Sequence, residues 1–326
     1  MQKLIKQGEK LFFGDKRILL VHLEFTSVCN RHCSYCLEGN GFPDKIKEEF
    51  SDETAMLNAI DKIFNVANDN DFIGFIIAGG EPTLQPSLKA VINKIQSRKD
   101  TGIILTTNFT QSVNYYKELD IPLIVSVHME DNNILEVIEK IKQLNHLIVH
   151  VRFMALPEMF ELAKLIYNDL LLLNNIIPLN LTISAIFAHG RYKPNYTQEY
   201  LDWIQNTLPI VNDYPESLNE KLKLLKNLFF HLTWWYKEGD NITEVGGGLP
   251  YYKGFYCERN LISIEKNGKI HQCWCNDPGI NIFTVDELPK DIFSTVICDK
   301  QECVMGYVST FPKFKSMEYA PEYLKN

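Results

Sequence analysis

The chain has 326 residues with a hydrophobic fraction of 45%, enough to bury a sizeable core in one large domain or in a domain with an appendage. Its formal net charge of −8 argues against nucleic acid as a partner, because affinity for phosphate backbones depends largely on Lys and Arg. The sequence shows no signal peptide and no apolar stretch long enough to cross a bilayer, so we expect a cytoplasmic protein without membrane contact.

Six short apolar, β-branched runs alternate with helix-like stretches over the first 190 residues. The predicted strands span residues 19–26, 72–79, 102–108, 123–129, 147–154 and 179–186, and the helices begin at about residues 51, 85, 111, 131 and 158. Strands that alternate with helices predict βαβ units and a parallel sheet. We therefore predict an α/β fold, a partial (β/α)6 barrel of the half-open, TIM-like type.

The predicted organisation has four parts. Residues 1–18 lead into the barrel of residues 19–190, and residues 191–250 predict a helical connecting region. Residues 251–326 are rich in cysteine, aromatic residues and turns, and Asn267–Gly268 predicts the turn of a β-hairpin there.

Polar side chains recur at two-residue spacing on one face of the predicted strands. The set is His22, Glu24, Thr26, Thr106, Asn108, Ser126, His128, His150, Arg152, Asn180, Thr182 and Ser184. Side chains two apart share a face, and a fully buried parallel strand is normally almost continuously apolar. Two explanations are open: some of these strands are edge strands with a solvent-exposed face, or the polar faces line one cavity. The recurrence of the polar pattern in five strands favours the cavity. Glu24 would then contact substrate or ribose, or pair with a cation such as Arg152.

The eight cysteines fall into two groups, three between residues 29 and 36 and five after residue 256. Without a secretory signal, metal or redox chemistry is the favoured use. Cys29, Cys33 and Cys36 follow the first strand, where an irregular loop can gather three thiolates. Three ligands leave one iron of a [4Fe–4S] cluster open, whereas His32 as a fourth ligand would make a zinc site.

The second strand ends in a Gly-Gly-Glu-Pro turn at residues 79–82. Glycines let a backbone approach a ligand closely, and a carboxylate can accept from a cation. CxxxCxxC after the first strand and GGEP after the second together resemble the radical S-adenosylmethionine superfamily. The resemblance implies an enzyme in which Cys29, Cys33 and Cys36 ligate a [4Fe–4S] cluster whose open iron is chelated by S-adenosylmethionine.

The same resemblance implies a set of cofactor contacts. Tyr35 would sit against the adenine, and Gly79, Gly80 and Glu81 would hold the methionyl amino group. Thr107–Asn108 is similar to the Thr-Asn-Gly of the family, with Phe109 in place of the glycine. Ser126, His128 and Arg152 would touch the ribose or the carboxylate.

The resemblance further implies the reaction. An external reductant, similar to flavodoxin or ferredoxin, supplies one electron, and S-adenosylmethionine is cleaved to methionine and a 5′-deoxyadenosyl radical. That radical removes a hydrogen atom from a substrate in the polar cavity.

The second cysteine group begins with the pattern CX10GX4C, from Cys257 through Gly268 to Cys273, and continues with Cys275, Cys298 and Cys303. It is similar to the auxiliary-cluster extensions of this superfamily, called SPASM and twitch. We expect Cys257, Cys273, Cys298 and Cys303 to hold a second [4Fe–4S] cluster; a Zn(Cys)4 site is the alternative. Cys275 is spare: it would replace one ligand, donate a hydrogen atom or simply be buried.

The sequence leaves the substrate open. The polar strand faces and the short chain favour a small polar molecule, such as a sugar or related metabolite, that is oxidised or rearranged. A ribosomally made peptide is the alternative, and an activase that makes a glycyl radical on a partner enzyme is a third possibility. In a different class stands a non-catalytic binding protein stabilised by metal.

Overall fold

The computed structural model describes residues 12–13, 16–36, 51–130, 134–177, 180–185, 195–207, 236–238, 241–243, 254, 256–273, 276–297, 299 and 313–314. The helices of this part of the chain are α1 Glu53–Val66, α2 Leu88–Gln96, α3 Val113–Leu119, α4 Ile134–Leu144, α5 Phe160–Asn174 and α6 Gln198–Asn206. The strands are β1 Phe12–Phe13, β2 Lys16–Glu24, β3 Phe72–Ala78, β4 Thr101–Thr107, β5 Leu123–His128, β6 Ile148–Ala155, β7 Leu181–Ala185, β8 Tyr236–Glu238, β9 Asn241–Thr243, β10 Tyr256–Glu258, β11 Leu261–Ile264, β12 Ile270–Gln272, β13 Thr295–Ile297 and β14 Lys313–Phe314.

The predicted half-open barrel is confirmed. Strands β2 to β7 lie side by side in chain order, every neighbouring pair is parallel, and helices connect them from β2 to β7. Of the predicted helical connecting region, residues 208–235 lie outside the described residues. None of the helices that the structure describes is both long enough and apolar enough to cross a membrane.

The two faces of this sheet differ in chemistry. One face, with Leu19, Val21, Phe75 and Leu105, belongs to the apolar core that packs against the helices. The strand register places the predicted polar residues together on the opposite face, where Ser126 pairs with Arg152 and Arg152 with Thr182. Because β3 to β6 each have a neighbour on both sides, the edge-strand explanation does not apply to them, and the polar face is the barrel interior.

The first barrel strand begins at Lys16 rather than at the predicted residue 19. Its start is anchored by a bidentate ion pair in which Arg17 Nε and Nη2 donate to the two carboxylate oxygens of Asp71, at 3.1 and 2.9 Å. Asp71 directly precedes β3 and is buried. This planar pairing fixes the starts of β2 and β3 at the same level.

The predicted β-hairpin is also confirmed, with β11 and β12 antiparallel around Gly268, which has a φ of +87°. Sequence patterning did not indicate where this hairpin docks. Strand β11 pairs in parallel with β2, from Leu261 opposite Leu20 to Ile264 opposite Leu23. The C-terminal hairpin therefore extends the barrel sheet next to its first strand.

The first helix, predicted to begin at about residue 51, begins at Glu53. Asp52 is the N-cap, accepting from Ala55 N–H at 2.8 Å. The Ser51 hydroxyl lies within hydrogen-bonding distance of two carbonyl oxygens, Phe25 O at 2.9 Å and Lys266 O at 3.1 Å. Ser51 thus links the end of the first barrel strand to the hairpin turn.

Candidate functional site

Cys29, Cys33 and Cys36 lie on the loop that follows β2, at the carboxyl end of the barrel strands. Cys33 is buried and the other two are half-buried. Turn contacts shape this loop: Arg31 N–H donates to Cys29 Sγ at 3.4 Å, and Cys36 N–H donates to Cys33 O at 3.0 Å. The structure thus places the three predicted cysteines on one loop, and their role as cluster ligands stays a prediction.

The thiols of this loop lie within each other's electrostatic field. Burial raises the pKa of Cys33 to about 12, and the charges of Glu130 and Cys36 act in the same direction. Burial also raises the pKa of Cys29. Metal binding by such thiols must displace protons, since the thiolate is the ligand.

The cysteine loop offers the donor set of an iron–sulfur cluster. A single zinc ion would need a fourth ligand besides the three cysteines, and His32, the candidate for that ligand, is exposed. Three separate irons of a cubane each need one cysteine. An all-cysteine donor set on one loop fits a [4Fe–4S] cluster.

The Gly79–Gly80 turn packs directly against the start of the cysteine loop. Gly80 N–H donates to Thr26 O at 2.6 Å, and Glu81 N–H donates to Val28 O at 2.8 Å. A Cβ on Gly79 would clash with the carbonyl oxygen of Thr26, and one on Gly80 with that of Val28. Glycine is therefore required for the approach of two protein segments, a reason that the sequence did not reveal.

The Glu81 carboxylate is completely buried and satisfied by protein donors. Its Oε1 accepts from Thr83 N at 3.1 Å, Thr83 Oγ1 at 2.6 Å and Thr107 Oγ1 at 2.8 Å, and its Oε2 accepts from Asn108 N at 2.7 Å. Burial raises the pKa of this carboxyl, and these hydrogen bonds oppose the shift. The Glu81 side chain therefore joins the end of β3 to the end of β4. Contact of the Gly79–Glu81 turn with a methionyl amino group stays a prediction.

Phe109 adopts the backbone conformation that glycine would take in a Thr-Asn-Gly sequence. Its φ is +63°, and its N–H donates to Thr107 Oγ1 at 3.0 Å. The left-handed region costs a non-glycine residue about 1–2 kcal/mol. The ring is buried and packs on Tyr116, with 4.8 Å between centroids, which offsets that cost.

The end of β5 and the loop that follows it also contact the cysteine loop. Tyr35 Oη lies 2.6 Å from His128 Nδ1, and the two rings stack at 6.1 Å. His128 Nδ1 also lies 3.7 Å from Cys33 Sγ. Glu130 Oε2 accepts from Ser34 N at 2.8 Å. Tyr35 and His128, both predicted cofactor contacts, are therefore placed next to the central cysteine.

The barrel interior contains histidines bound to hydroxyl groups. His22 Nδ1 lies 3.0 Å from Ser263 Oγ, and His150 Nε2 lies 2.7 Å from Thr182 Oγ1. Ser263 comes from hairpin strand β11 and is fully buried. Glu24, Ser126 and Arg152 are half-buried on the same face. Burial lowers the pKa of His22 to about 4, and burial and the charge of Arg152 lower that of His150 to about 3, so both are neutral at pH 7.

Acid should destabilise the fold through His150, which is 2% exposed. Its ordinary pKa of 6.5 falls to about 3 in the fold, so below pH 6.5 the unfolded chain binds the extra proton. The His150 contribution to the free energy of unfolding should drop by about 1.4 kcal/mol per pH unit between roughly pH 6 and 4. Urea unfolding at several pH values measures this slope. His150→Asn should make the slope shallower by that amount, and an unchanged slope would contradict the prediction.

The auxiliary cysteines are described only in part. Cys257 and Cys273 are both buried, and Cys273 N–H donates to Leu261 O at 2.9 Å. Cys275, Cys298 and Cys303 lie outside the described residues. Since β11 runs parallel to β2 and Leu261 lies opposite Leu20, Cys273 stands level with the middle of β2.

Sequence reasoning missed several residues around the cysteine loop. Asn30, Thr110 and Glu130 hydrogen-bond within or onto this loop, and Ser263 enters the interior from the hairpin. Thr110 and Glu130 follow the carboxyl ends of β4 and β5, and that position was the available signal. The register of β11 against β2 has no comparable local signal.

Comparison with known proteins agrees with this geometry. The model of the family described as a 4Fe-4S single cluster domain matches residues 17–148. The GTP 3′,8-cyclase of Pasteurella multocida is 24% identical over 298 residues, which are 82% of this chain and 81% of the relative.

Two solved structures share the fold. That of anSMEcpe with bound AdoMet has a TM-score of 0.54 at 13% identity, covering 85% of this chain and 81% of that one. That of Streptococcus suis SuiB bound to precursor peptide SuiA has a TM-score of 0.51 at 13% identity, covering 90% and 70%. Together with the cysteine loop, the Gly-Gly-Glu-Pro turn and the half-open barrel, these matches make the chain similar to enzymes of the radical S-adenosylmethionine superfamily.

Proposed function

We propose that this enzyme cleaves S-adenosylmethionine reductively and uses the resulting radical to abstract a hydrogen atom from a small polar molecule in the barrel interior. One observation carries the proposal. Cys29, Cys33 and Cys36 share a loop that is seated on the Gly79–Glu81 turn, at the carboxyl end of a barrel with a polar inner face. Ligands of open α/β sheets bind at this end of the strands.

In this proposal Cys29, Cys33 and Cys36 hold the [4Fe–4S] cluster. When bound, the cluster supplies the electron that breaks a sulfonium bond of S-adenosylmethionine. An external flavodoxin- or ferredoxin-like protein supplies that electron in turn. The chain's own residues bind and orient the cosubstrate and keep water and oxygen away from the reacting atoms.

The proposed cosubstrate contacts come from five strands, β2 to β6, or from the loops that follow them. They are Tyr35, Gly79, Gly80, Glu81, Asn108, Ser126, His128 and Arg152. The guanidinium of Arg152, between Ser126 and Thr182 in the register, suits a carboxylate or ribose hydroxyls. His128 is positioned to hold Tyr35 in place through the 2.6 Å contact with its hydroxyl.

The proposed auxiliary cluster is held by Cys257, Cys273, Cys298 and Cys303. The burial of Cys257 and Cys273 supports this, because cluster ligands are sheltered from solvent. The auxiliary cluster would accept an electron from the product radical or position the substrate. Cys275 and Glu24 are candidates for direct action on the substrate.

The charge of the interior favours an uncharged, hydroxyl-rich substrate such as a sugar derivative. His22 and His150 are neutral at pH 7, and Glu24 and Arg152 carry opposite charges on the same face. A nucleoside triphosphate would need several cations around its phosphates. The relatives named GTP 3′,8-cyclase nevertheless make GTP the second candidate, and the peptide complex of SuiB makes a ribosomal peptide the third.

Anaerobic reconstitution tests the proposal. We expect about eight irons per chain, as two [4Fe–4S] clusters require, and 5′-deoxyadenosine after reduction. Deuterated sugar derivatives, GTP and a candidate precursor peptide are then compared by deuterium transfer into 5′-deoxyadenosine. Deuterium transfer from the sugar derivative supports the favoured substrate class. Deuterium transfer only from GTP or only from the peptide would show that the substrate belongs to that class instead. Zinc-loaded protein that forms no 5′-deoxyadenosine would contradict the whole proposal.

Replacing Cys257 by alanine should separate the two cysteine groups. Cys257 is buried in β10, which belongs to a three-stranded sheet separate from the barrel sheet, so its loss should leave about four irons per chain and part of the cleavage activity. Product formation should be lost. Iron analysis, 5′-deoxyadenosine and product are measured together, and a variant that keeps both clusters and product would show that Cys257 is not a ligand.

A further inference from the structure

Asn108 lies where β4 meets the cysteine loop, and it is held from two directions. Its backbone N–H donates to Glu81 Oε2 at 2.7 Å, and the residue is only 5% exposed. Its side chain reaches the cysteine loop, with Nδ2 at 2.9 Å from Asn30 Oδ1 and at 3.7 Å from Cys29 Sγ. The residue therefore connects the buried carboxylate of Glu81 to the first cysteine.

The orientation of the Asn108 amide is fixed by chemistry. Thr110 N–H lies 3.2 Å from Asn108 Oδ1, and a backbone N–H can only donate, so this atom must be the oxygen. Thr110 Oγ1 donates to the same oxygen at 2.7 Å and accepts from Asn30 Nδ2 at 2.8 Å. The nitrogen consequently faces Cys29 Sγ as a donor.

Cys29 Sγ therefore has two N–H donors, Asn108 Nδ2 and the backbone of Arg31 at 3.4 Å. Hydrogen bonds to the cysteine sulfurs are among the factors that set the potential of an iron–sulfur cluster. Reduction adds negative charge, part of which resides on these sulfurs. A donor stabilises the reduced form more than the oxidised form and so raises the reduction potential.

We propose that Asn108 is a positioning residue that raises the reduction potential of the cluster by donating a hydrogen bond from Nδ2 to Cys29 Sγ. This role rests on the proposed ligation by Cys29 and is separate from any contact of Asn108 with S-adenosylmethionine. It makes the cluster accessible to a milder reductant.

Asn108→Leu tests the proposal, since leucine is close to asparagine in shape and has no donor. Redox titration of the reconstituted full chain, followed by EPR without S-adenosylmethionine, measures the midpoint potential; Cys33→Ala identifies the signals of any other cluster. We expect a more negative midpoint potential in Asn108→Leu. The matched control Asn30→Leu removes the neighbouring amide but leaves Nδ2 of Asn108 on Cys29, and it should keep the wild-type potential. Equal potentials in all three proteins, or equal shifts in both variants, would overturn the proposal.

A measurement on the wild-type protein covers the case in which Asn108→Leu does not retain its cluster. Protein labelled with 15N in the asparagine side chains is reduced and studied by pulsed EPR. We expect a 15N coupling to the reduced cluster that persists in Asn30→Leu. Its absence contradicts the role of Asn108, whereas a protein without any iron–sulfur signal contradicts the proposed function instead.

Discussion

Cys33→Ala should abolish 5′-deoxyadenosine formation completely. Cys33 is the buried, central member of the cysteine loop, and its Sγ lies 3.7 Å from His128 Nδ1. A cluster with two cysteine ligands left would be lost or trapped in a form that cannot orient the cosubstrate. Iron should fall from about eight to about four per chain, because only the auxiliary cluster remains. Iron analysis and chromatography of 5′-deoxyadenosine measure both effects.

The matched control for Cys33→Ala is Ser34→Ala. Ser34 is exposed, and it is held through its backbone N–H by Glu130, a contact that alanine preserves. Ser34→Ala should keep its iron and its cleavage. Circular dichroism should show the same helix and strand content in both variants, since Cys33 is one small side chain at the edge of a large core. Residual cleavage in a correctly folded Cys33→Ala would remove Cys33 from the ligand set.

The barrel could be predicted because its signals are local. Each predicted strand is a short β-branched run that is followed by a helix-like stretch. The CxxxCxxC loop and the Asn267–Gly268 turn each consist of residues that are contiguous in sequence. The polar interior followed from two-residue spacing alone, and the register of Ser126 against Arg152 bears it out.

The remaining features depend on contacts between distant segments. Leu261 pairs with Leu20 across about 240 residues, and no local pattern marks that register. Ser51 lies at the predicted start of a helix, but its hydroxyl contacts two carbonyl oxygens, one of which belongs to that same distant hairpin. The glycines at 79 and 80 signal close approach, but the sequence cannot tell whether a ligand or another backbone approaches.

Glu81→Gln should destabilise the fold although it is a conservative change. Glutamine has one acceptor oxygen and one amide group where glutamate offers two acceptors. If the amide nitrogen takes the place of Oε2, it faces Asn108 N–H, and if it takes the place of Oε1, it faces Thr83 N–H. The threonine hydroxyls can rotate, but a backbone N–H cannot, so either orientation leaves one buried donor unsatisfied. The expected loss is about 1–3 kcal/mol in the free energy of unfolding.

Glu81→Ala should cost more, about 3–5 kcal/mol, since it removes the acceptor of every donor around the carboxylate and leaves a cavity. Glu118→Gln is the matched control: Glu118 is exposed and pairs with Lys89 at the surface, so its change should stay within about 0.5 kcal/mol. Urea unfolding of the iron-free proteins measures all three. Because Glu81 also positions Asn108, Glu81→Gln should retain less iron than wild type after reconstitution. Equal stability of Glu81→Gln and Glu118→Gln would show that the buried carboxylate does not join the two strand ends.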